Sequence, residues 1–449
     1  MAKKDEPKRI PKIKGFIGKN RFVESVFVDS EPAFLVKDIR SGKVSVEYEI
    51  KVSDKTVYRP LYRHECGYMP FYFTKDEIEK LGSTDITKDE LIDEILDEVK
   101  RYVVVDPRDQ LLISGEILLT YCQEWISTVH FPFFVGETES GKSTVLHLGR
   151  WLAYRCLMSE DLPHADIYNF LGTEEEGAGT ICEDEAQEMV KDREKIRTYK
   201  SSYSKGSLKP RVIMTNSGKY QVFYKIFCCK WFAGESVPQD KGFLERVVTV
   251  YMLGGSPESN IKTVSTQEKI SLQKLRNRLL FWKLQNIGKE FLKIESGLER
   301  RDQELWEDFL SMFAGTRYEK DAKDTAKYYL EQRHQTIKES LESLLFRILK
   351  PIIEEQKELG SNHIWELVTN SKEIPGTLDE KSGKSYYPDE MEEKITPNSI
   401  SKILRFKFQA KRIKKTRVIN GKSVQTTYYI FDEKILEILS KRYKISEEK

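Results

Sequence analysis

The stretch FPFFVGETESGKST, from Phe131 to Thr144, restricts the fold more than any other part of the chain. An apolar run ends at a glycine, four residues pass, and Gly141, Lys142 and Ser143 follow. This spacing predicts a strand, a tight loop and a helix. Glycines let such a loop curl its backbone N–H groups around an anion, and the helix behind it offers its positive end. A triphosphate would be cradled by Gly136, Glu137, Thr138, Glu139, Ser140, Gly141 and Thr144. Lys142 would reach the β/γ-phosphates and Ser143 would ligate Mg²⁺. Glu137 and Glu139 must then turn their carboxylates away from the phosphates.

Hydrolysis also needs an acid at the end of a neighbouring strand. GTICEDEAQEM supplies it some forty residues further on, after a short β-type run. There Asp184 would hold Mg²⁺ through water and Glu185 would polarise the attacking water. Glu183 offers the alternative register, one residue earlier. In KWFAGESVPQDKGFLERVVTVYM, two strand-like runs flank a polar loop, and Arg246 opens the second. An arginine there can stabilise charge on a γ-phosphate held by a neighbouring subunit.

With 449 residues the chain has room for two or three domains. Its formal charge of +2 implies no partner by itself, but Ser401–Ile430 holds nine Lys/Arg and no Asp/Glu. Six cysteines without a CxxC pair read as reduced, buried thiols rather than a disulfide or zinc framework. Adjacent Cys228 and Cys229 are expected on opposite faces of a strand. No secretory leader or membrane span is evident, which points to a cytoplasmic protein.

Residues 1–15 read as a flexible basic tail. Residues 16–80, with runs such as FVESVFV and VSVEYEI, read as a β-rich accessory domain. Residues 86–130 form a helical collar. Its first helix opens with a Thr87/Glu90 capping box and carries Leu91, Ile95 and Val99 on one face, and a second covers roughly Leu111 to Trp125. From Phe131 to Leu253, strand-like runs alternate with helices, an α/β pattern. A Ser265/Glu268 box opens a helix with Leu272, Leu275, Leu279 and Trp282 on one side. Residues 371–393 read as a mobile loop. Beyond it, Thr396–Pro397 starts a helix through Ile400, Ile403 and Leu404, and Asn420–Gly421 signals a hairpin turn, a winged-helix pattern.

The order GETESGKST, CEDEA, TYKSSYSKGSLKPR, KWFAGESVP and LERVV is similar to the AAA+ ATPases, within the branch of superfamily 3 and viral or plasmid primase–helicases. The resemblance implies an AAA+ P-loop NTPase core over residues 131–262, a helical lid over 263–357 and a winged-helix domain over 358–449. It also implies a ring, usually a hexamer, that moves along nucleic acid using ATP and Mg²⁺. PRVIMTNSGKYQVFYK would form a hairpin entering the ring's pore, with Lys209, Arg211 and Lys219 tracking phosphates. A polar residue orienting the lytic water would be Glu235 or Ser236, with Asn216 the alternative that would undo the hairpin assignment. In the C-terminal module, Lys402, Arg405, Lys411, Arg412, Lys414, Lys415 and Arg417 would contact DNA phosphates. Phe406, Phe408, Tyr428 and Tyr429 read as core. The N-terminal region lacks a primase-type acid pair on a strand. The leading expectation is an ATP-dependent DNA helicase or translocase, with replication or mobile-element proteins as its expected partners. The alternative is a regulatory AAA+ switch that remodels or loads a partner protein.

Overall fold

Five short runs between Phe131 and Tyr251 form one parallel sheet. Its spatial order is Cys156–Ser159, Thr180–Glu183, Cys229–Gly234, Phe131–Val135 and Val247–Tyr251. Parallel strands covered on both faces are apolar almost throughout. Accordingly Phe131, Phe133, Phe134, Ile181, Cys182, Trp231 and Phe232 are each at most 1% exposed. After Phe131–Val135 the chain runs through the helix Lys142–Leu152 and crosses to the far edge of the sheet at Cys156–Ser159. It then works back to Val247–Tyr251 on the other side. This reversal makes Phe131–Val135 the topological switch of the sheet, where a ligand is expected beyond the carboxyl ends of the strands.

The computed structural model describes residues 7–215, 218–338, 340–371, 377–379, 384–386, 395–419 and 422–443. The chain divides into two units, Met1–Tyr329 and Leu330–Lys449. The division falls inside the expected helical lid, earlier than the expected boundary at residue 358. The N-terminal β-rich region belongs to the first unit rather than standing apart.

That region differs from expectation at its start. Lys8–Pro11 pairs in parallel with Thr56–Arg59, and Lys14–Ile17 joins Arg21–Val28, Glu31–Asp38 and Val44–Glu47 in an antiparallel sheet. The expected tail is therefore strand from Lys8 onward. The central hairpin turns at Asp29 and Ser30, both with positive φ (49° and 71°), the geometry that matches the twist of paired strands. Helices follow at Lys75–Ser83, Lys88–Tyr102 and Pro107–Thr120. The Thr87/Glu90 and Ser265/Glu268 capping boxes form, and Leu91, Ile95, Val99, Leu272, Leu275 and Leu279 are buried. The second collar helix starts earlier than expected, because Asp106 accepts from the N–H groups of Arg108 and Asp109 and Pro107 occupies the first turn.

A buried ionic cluster ties these parts together. Glu24 accepts from Arg155 at 2.7 Å and from Lys283 at 2.9 Å. Glu124 accepts from Lys14 at 2.5 Å and Lys283 at 2.9 Å. Three cations face two carboxylates, and carbonyl oxygens take up the surplus. Lys14 donates to Gly177, and Arg155 donates to Ile13 and Ser25. The Tyr154 hydroxyl donates to Glu24 at 2.7 Å.

In the second unit, the helix Leu341–Gln356 is followed by the strand Glu358–Gly360 and the helix Ser361–Asn370. Thr396 then caps the helix Pro397–Lys402, which widens into a π-turn at Ile403–Lys407. The strands Lys411–Ile419 and Lys422–Ile430 pair antiparallel, and Glu358–Gly360 adds to the second of them. The helix Glu433–Arg442 closes the unit. Phe346, Leu349, Ile364, Ile400, Leu404, Phe408 and Tyr429 form its core. Asn420 and Gly421 lie outside the described residues. Within the expected mobile loop, Thr377–Asp379 pairs with Lys384–Tyr386.

Removing one member of a buried ion cluster strands its partners in low dielectric. Glu24→Leu is therefore expected to lower stability by about 3–5 kcal/mol in denaturant unfolding. Burial alone would raise the Glu124 carboxyl, but Lys14 and Lys283 hold it at about 2 against an ordinary 4.5. A carboxyl depressed in the folded state stabilises above its unfolded pKa and loses that contribution as pH falls toward 2. Glu124→Gln should thus flatten the acid limb of a stability–pH curve between those values; an unchanged limb would contradict the pairing.

Candidate functional site

All five core strands point their carboxyl ends to one edge. The loop after Val135, the acids after Glu183, the residues after Gly234 and those after Tyr251 therefore gather there. Val135 pairs with Gly234 and with Tyr251, so these ends lie level. Because Cys229–Gly234 separates the loop strand from Thr180–Glu183, the loop and the acids stand two strand spacings apart, about 10 Å.

Two glycines shape the loop. Gly141 caps the helix Lys142–Leu152 with φ 92°, a conformation that L side chains rarely adopt. A side chain at Gly136 would meet the Met252 carbonyl at 2.5 Å. Lys142 is buried, and its ammonium donates to the carbonyls of Gly136 at 2.5 Å and Glu137 at 2.6 Å. Ser140 Oγ is buried without a hydrogen-bond partner. Glu137, Thr138 and Glu139 are exposed, and Ser143 and Thr144 are half-buried.

A cavity of about 300 Å³ opens beside the loop, at the lower end of the range for small-molecule sites. Loop residues Glu139 to Thr144 form one wall, Tyr102 to Val104 another, and Gly254, Gly255, Pro257 and Lys262 a third. Sequence reasoning assigned the residues outside the loop to no site. The Gly254–Gly255 pair was a usable signal of close backbone approach; Tyr102 and Lys262 carried none. The donor set suits a nucleotide with Mg²⁺: backbone N–H groups at a helix start, one ammonium, one hydroxyl and a nearby carboxylate. Among the described residues, no group of three or more His, Cys, Asp or Glu side chains could hold a metal ion by itself.

The three acids separate cleanly. Glu183 is buried and forms an ion pair with Lys195 and a hydrogen bond with the Tyr199 hydroxyl. Burial pushes its carboxyl up, against the opposing pull of Lys195. It points into the core, so the one-residue shift in register has no structural support. Asp184 is 7% exposed at the edge. Glu185 is exposed with φ 50°, and its carboxylate accepts from Gln187 Nε2 at 2.5 Å. Gln187 Oε1 in turn accepts the Glu235 N–H at 3.2 Å, linking the two strand ends.

Arg246 lies at the opposite edge. It precedes Val247–Tyr251, and its carbonyl accepts from the Phe131 N–H at 2.8 Å. Five strand residues, about 17 Å, separate it from its own loop. Its guanidinium rests 4.2 Å from the Tyr203 ring, which Arg301 approaches at 4.7 Å from its own position, and it donates to Gly242. Burial and the charge of Arg301 push Arg246 below its ordinary value.

The expected nucleic-acid residues divide. Leu208–Thr215 and Gly218–Lys225 pair antiparallel, while Asn216 lies outside the described residues. Lys209 does not project: it pairs with Glu194 at 2.8 Å. Arg211 stacks on Tyr168 at 4.7 Å. Lys219 is exposed, together with apolar Val212, Met214, Tyr220 and Phe223. In the second unit Lys402, Arg405, Lys411, Arg412 and Lys414 are exposed. Lys415 is instead drawn to Glu358 at 2.5 Å, and the side chain of Arg417 lies outside the described residues. Phe408 and Tyr429 are core as expected, but Phe406 is 68% exposed with the Arg405 guanidinium 5.0 Å from its ring. Five of the six free thiols are buried, both Cys228 and Cys229 among them. No described helix is long and apolar enough to cross a membrane.

No protein-family model matches the chain, and neither does any curated protein. Among solved structures, the chain is similar to the A-form apo structure of the NrS-1 C-terminal region. The identity is 13%, over 91% of this chain and 97% of that one, with a TM-score of 0.34. A further apo structure of that region gives 12% identity over 91% and 96%, with a TM-score of 0.36. A full-length MCM homolog from Methanopyrus kandleri gives 12% identity over 71% and 75%, also with a TM-score of 0.36. These likenesses are loose, and the functional reading rests on the residues themselves.

Glu183 and Glu185 can be told apart by experiment. Glu183→Gln should lower stability by about 1–3 kcal/mol through the lost partner of Lys195 and Tyr199. Glu185→Gln, at an exposed position, should leave the unfolding midpoint within about 0.5 kcal/mol of the parent. Reversal of that order would overturn the assignment.

Proposed function

We propose that the chain is an ATP-driven DNA helicase or translocase of the AAA+ type that works as a ring, with six subunits the number its resemblance implies. One observation carries this reading. The phosphate loop and Asp184–Glu185 share one edge of the sheet, whereas Arg246 sits at the other, beyond reach of its own loop. A complete hydrolytic site then takes its arginine from a second copy of the chain.

In this reading, the loop N–H groups and the start of the helix Lys142–Leu152 hold the phosphate chain. Lys142 exchanges the Gly136 and Glu137 carbonyls for β/γ-phosphate oxygens. Ser143 and, through water, Asp184 would hold Mg²⁺, which would supply charge neutralisation at the phosphates. Glu185 accepts a proton from the attacking water, and Gln187 sets the orientation of its carboxylate. Glu235 or Ser236, at the end of the neighbouring strand, borders the same space. Arg246 of an adjoining copy stabilises charge as the γ-phosphoryl departs.

The second unit supplies DNA affinity as a winged helix, through Lys402, Arg405, Lys411, Arg412 and Lys414. The hairpin Leu208–Lys225 reaches DNA with Lys219 and its exposed apolar residues, since Lys209 and Arg211 are engaged elsewhere.

Lys142→Ala should reduce DNA-stimulated ATP hydrolysis by about a hundredfold or more. Arg246→Ala should abolish hydrolysis but leave nucleotide binding intact, and mixing it with Glu185→Gln subunits should restore part of the activity. Absence of rescue at every mixing ratio would remove the shared site. Replacing Lys402, Arg405 and Arg412 together by alanine should weaken binding across DNA sequences alike and lower the salt slope by about one for each lost phosphate contact.

A further inference from the structure

The cavity beside the phosphate loop has a cationic wall that the loop does not provide. Lys262 lines it together with Gly141, Lys142, Ser143 and Thr144. Its position is held by neighbours on both sides. Ile261 is 2% exposed and anchors the short turn Ile261–Thr263 against the helix Lys142–Leu152. The Asn260 side chain caps that turn by accepting the Lys262 N–H at 2.9 Å.

Lys262 itself is exposed, and among the described residues no carboxylate pairs with it. Its charge reaches the first turns of the helix. His147, four residues beyond Ser143, is lowered from its ordinary value by burial first and then by Lys262 and Arg150, with Asp184 opposing. The acid stands at the end of its strand, where the reacting phosphate belongs. Lys262 follows the Gly254–Pro257 segment, which lines the cavity together with Tyr102–Val104, whereas neither Asp184 nor Glu185 lines it.

We propose that Lys262 is a second phosphate-binding cation of the nucleotide site, holding the part of the phosphate chain nearest the ribose. This rests on the nucleotide reading above. Lys142 and Lys262 then divide the polyanion: the first serves the β/γ end and the second the end that every adenine nucleotide shares. A cation at the shared end strengthens tri-, di- and monophosphate alike, so it sets retention of the nucleotide rather than discrimination between substrate and product.

The test is displacement of a fluorescent ATP analogue from the full-length protein by ATP, ADP and AMP in the presence of Mg²⁺. Lys262→Gln should weaken all three by a similar factor of about tenfold, the effect of one charge-assisted contact. Lys262→Arg, which keeps the charge, should bind all three within about twofold of the parent. Lys142→Ala should weaken ATP and ADP while sparing AMP. If Lys262→Gln bound all three as the parent does, or lost affinity for ATP alone, the assignment of Lys262 would fail while the nucleotide site stood. If the parent protein bound none of them, the underlying reading would fall first.

Discussion

The arrangement of the first unit depends on a knot of buried charge. Glu24, Glu124, Lys14, Arg155 and Lys283 come from four separated parts of the chain, with Lys14 and Glu24 opposite each other on paired strands, and none is more than 13% exposed. A single ion in such a place costs several kcal/mol, so each of these groups is tolerable only while its partners are present. Packing among aliphatic side chains allows small slides; hydrogen bonds between buried ions do not. The N-terminal sheet, the segment before the loop strand, the far-edge strand that follows Arg155 and the helix Thr266–Asn286 are consequently located together. The β-rich region is for this reason part of the first unit, and Lys14 draws into the interior a stretch of chain whose composition looks like a solvated tail.

Arg155 immediately precedes Cys156–Ser159, so the charge knot touches the amino edge of the parallel sheet, while the glycine loop and Asp184–Glu185 gather at the carboxyl edge. The same polarity accounts for Arg246. A strand only five residues long still separates its ends by more than an arginine can span, so this residue serves a neighbour or serves no phosphate at all. The acids obey strand geometry as well. Successive side chains alternate between faces, which buries Glu183 against Lys195 and leaves Asp184 at the edge.

Much of this was legible from residue patterns. The loop spacing, the capping boxes at Thr87 and Ser265, and the apolar face through Leu91, Ile95 and Val99 all follow from local chemistry. Each involves residues within a few positions of one another, where the backbone's own preferences decide. The errors share the opposite character. Lys209, Arg211 and Lys415 look like free surface cations in a linear reading, yet Glu194, Tyr168 and Glu358 are brought to them by folding. Phe406 looks like core because it lies between Leu404 and Phe408; both of these turn inward, and Phe406 lies outside.

The amino-acid sequence by itself determined the capping boxes at Thr87 and Ser265, the strand, loop and helix around Gly136–Ser143 and the apolar helix faces, because glycine freedom, capping and side-chain periodicity act over one or two turns of chain. Tertiary structure alone decided that Tyr102 to Val104 and Lys262 share a cavity with that loop, that Glu183 is spent on Lys195, and that Arg246 stands at the sheet edge opposite the loop. Those outcomes depend on strand order and on the pairing of buried charges, which join residues far apart along the chain and leave no local trace in it.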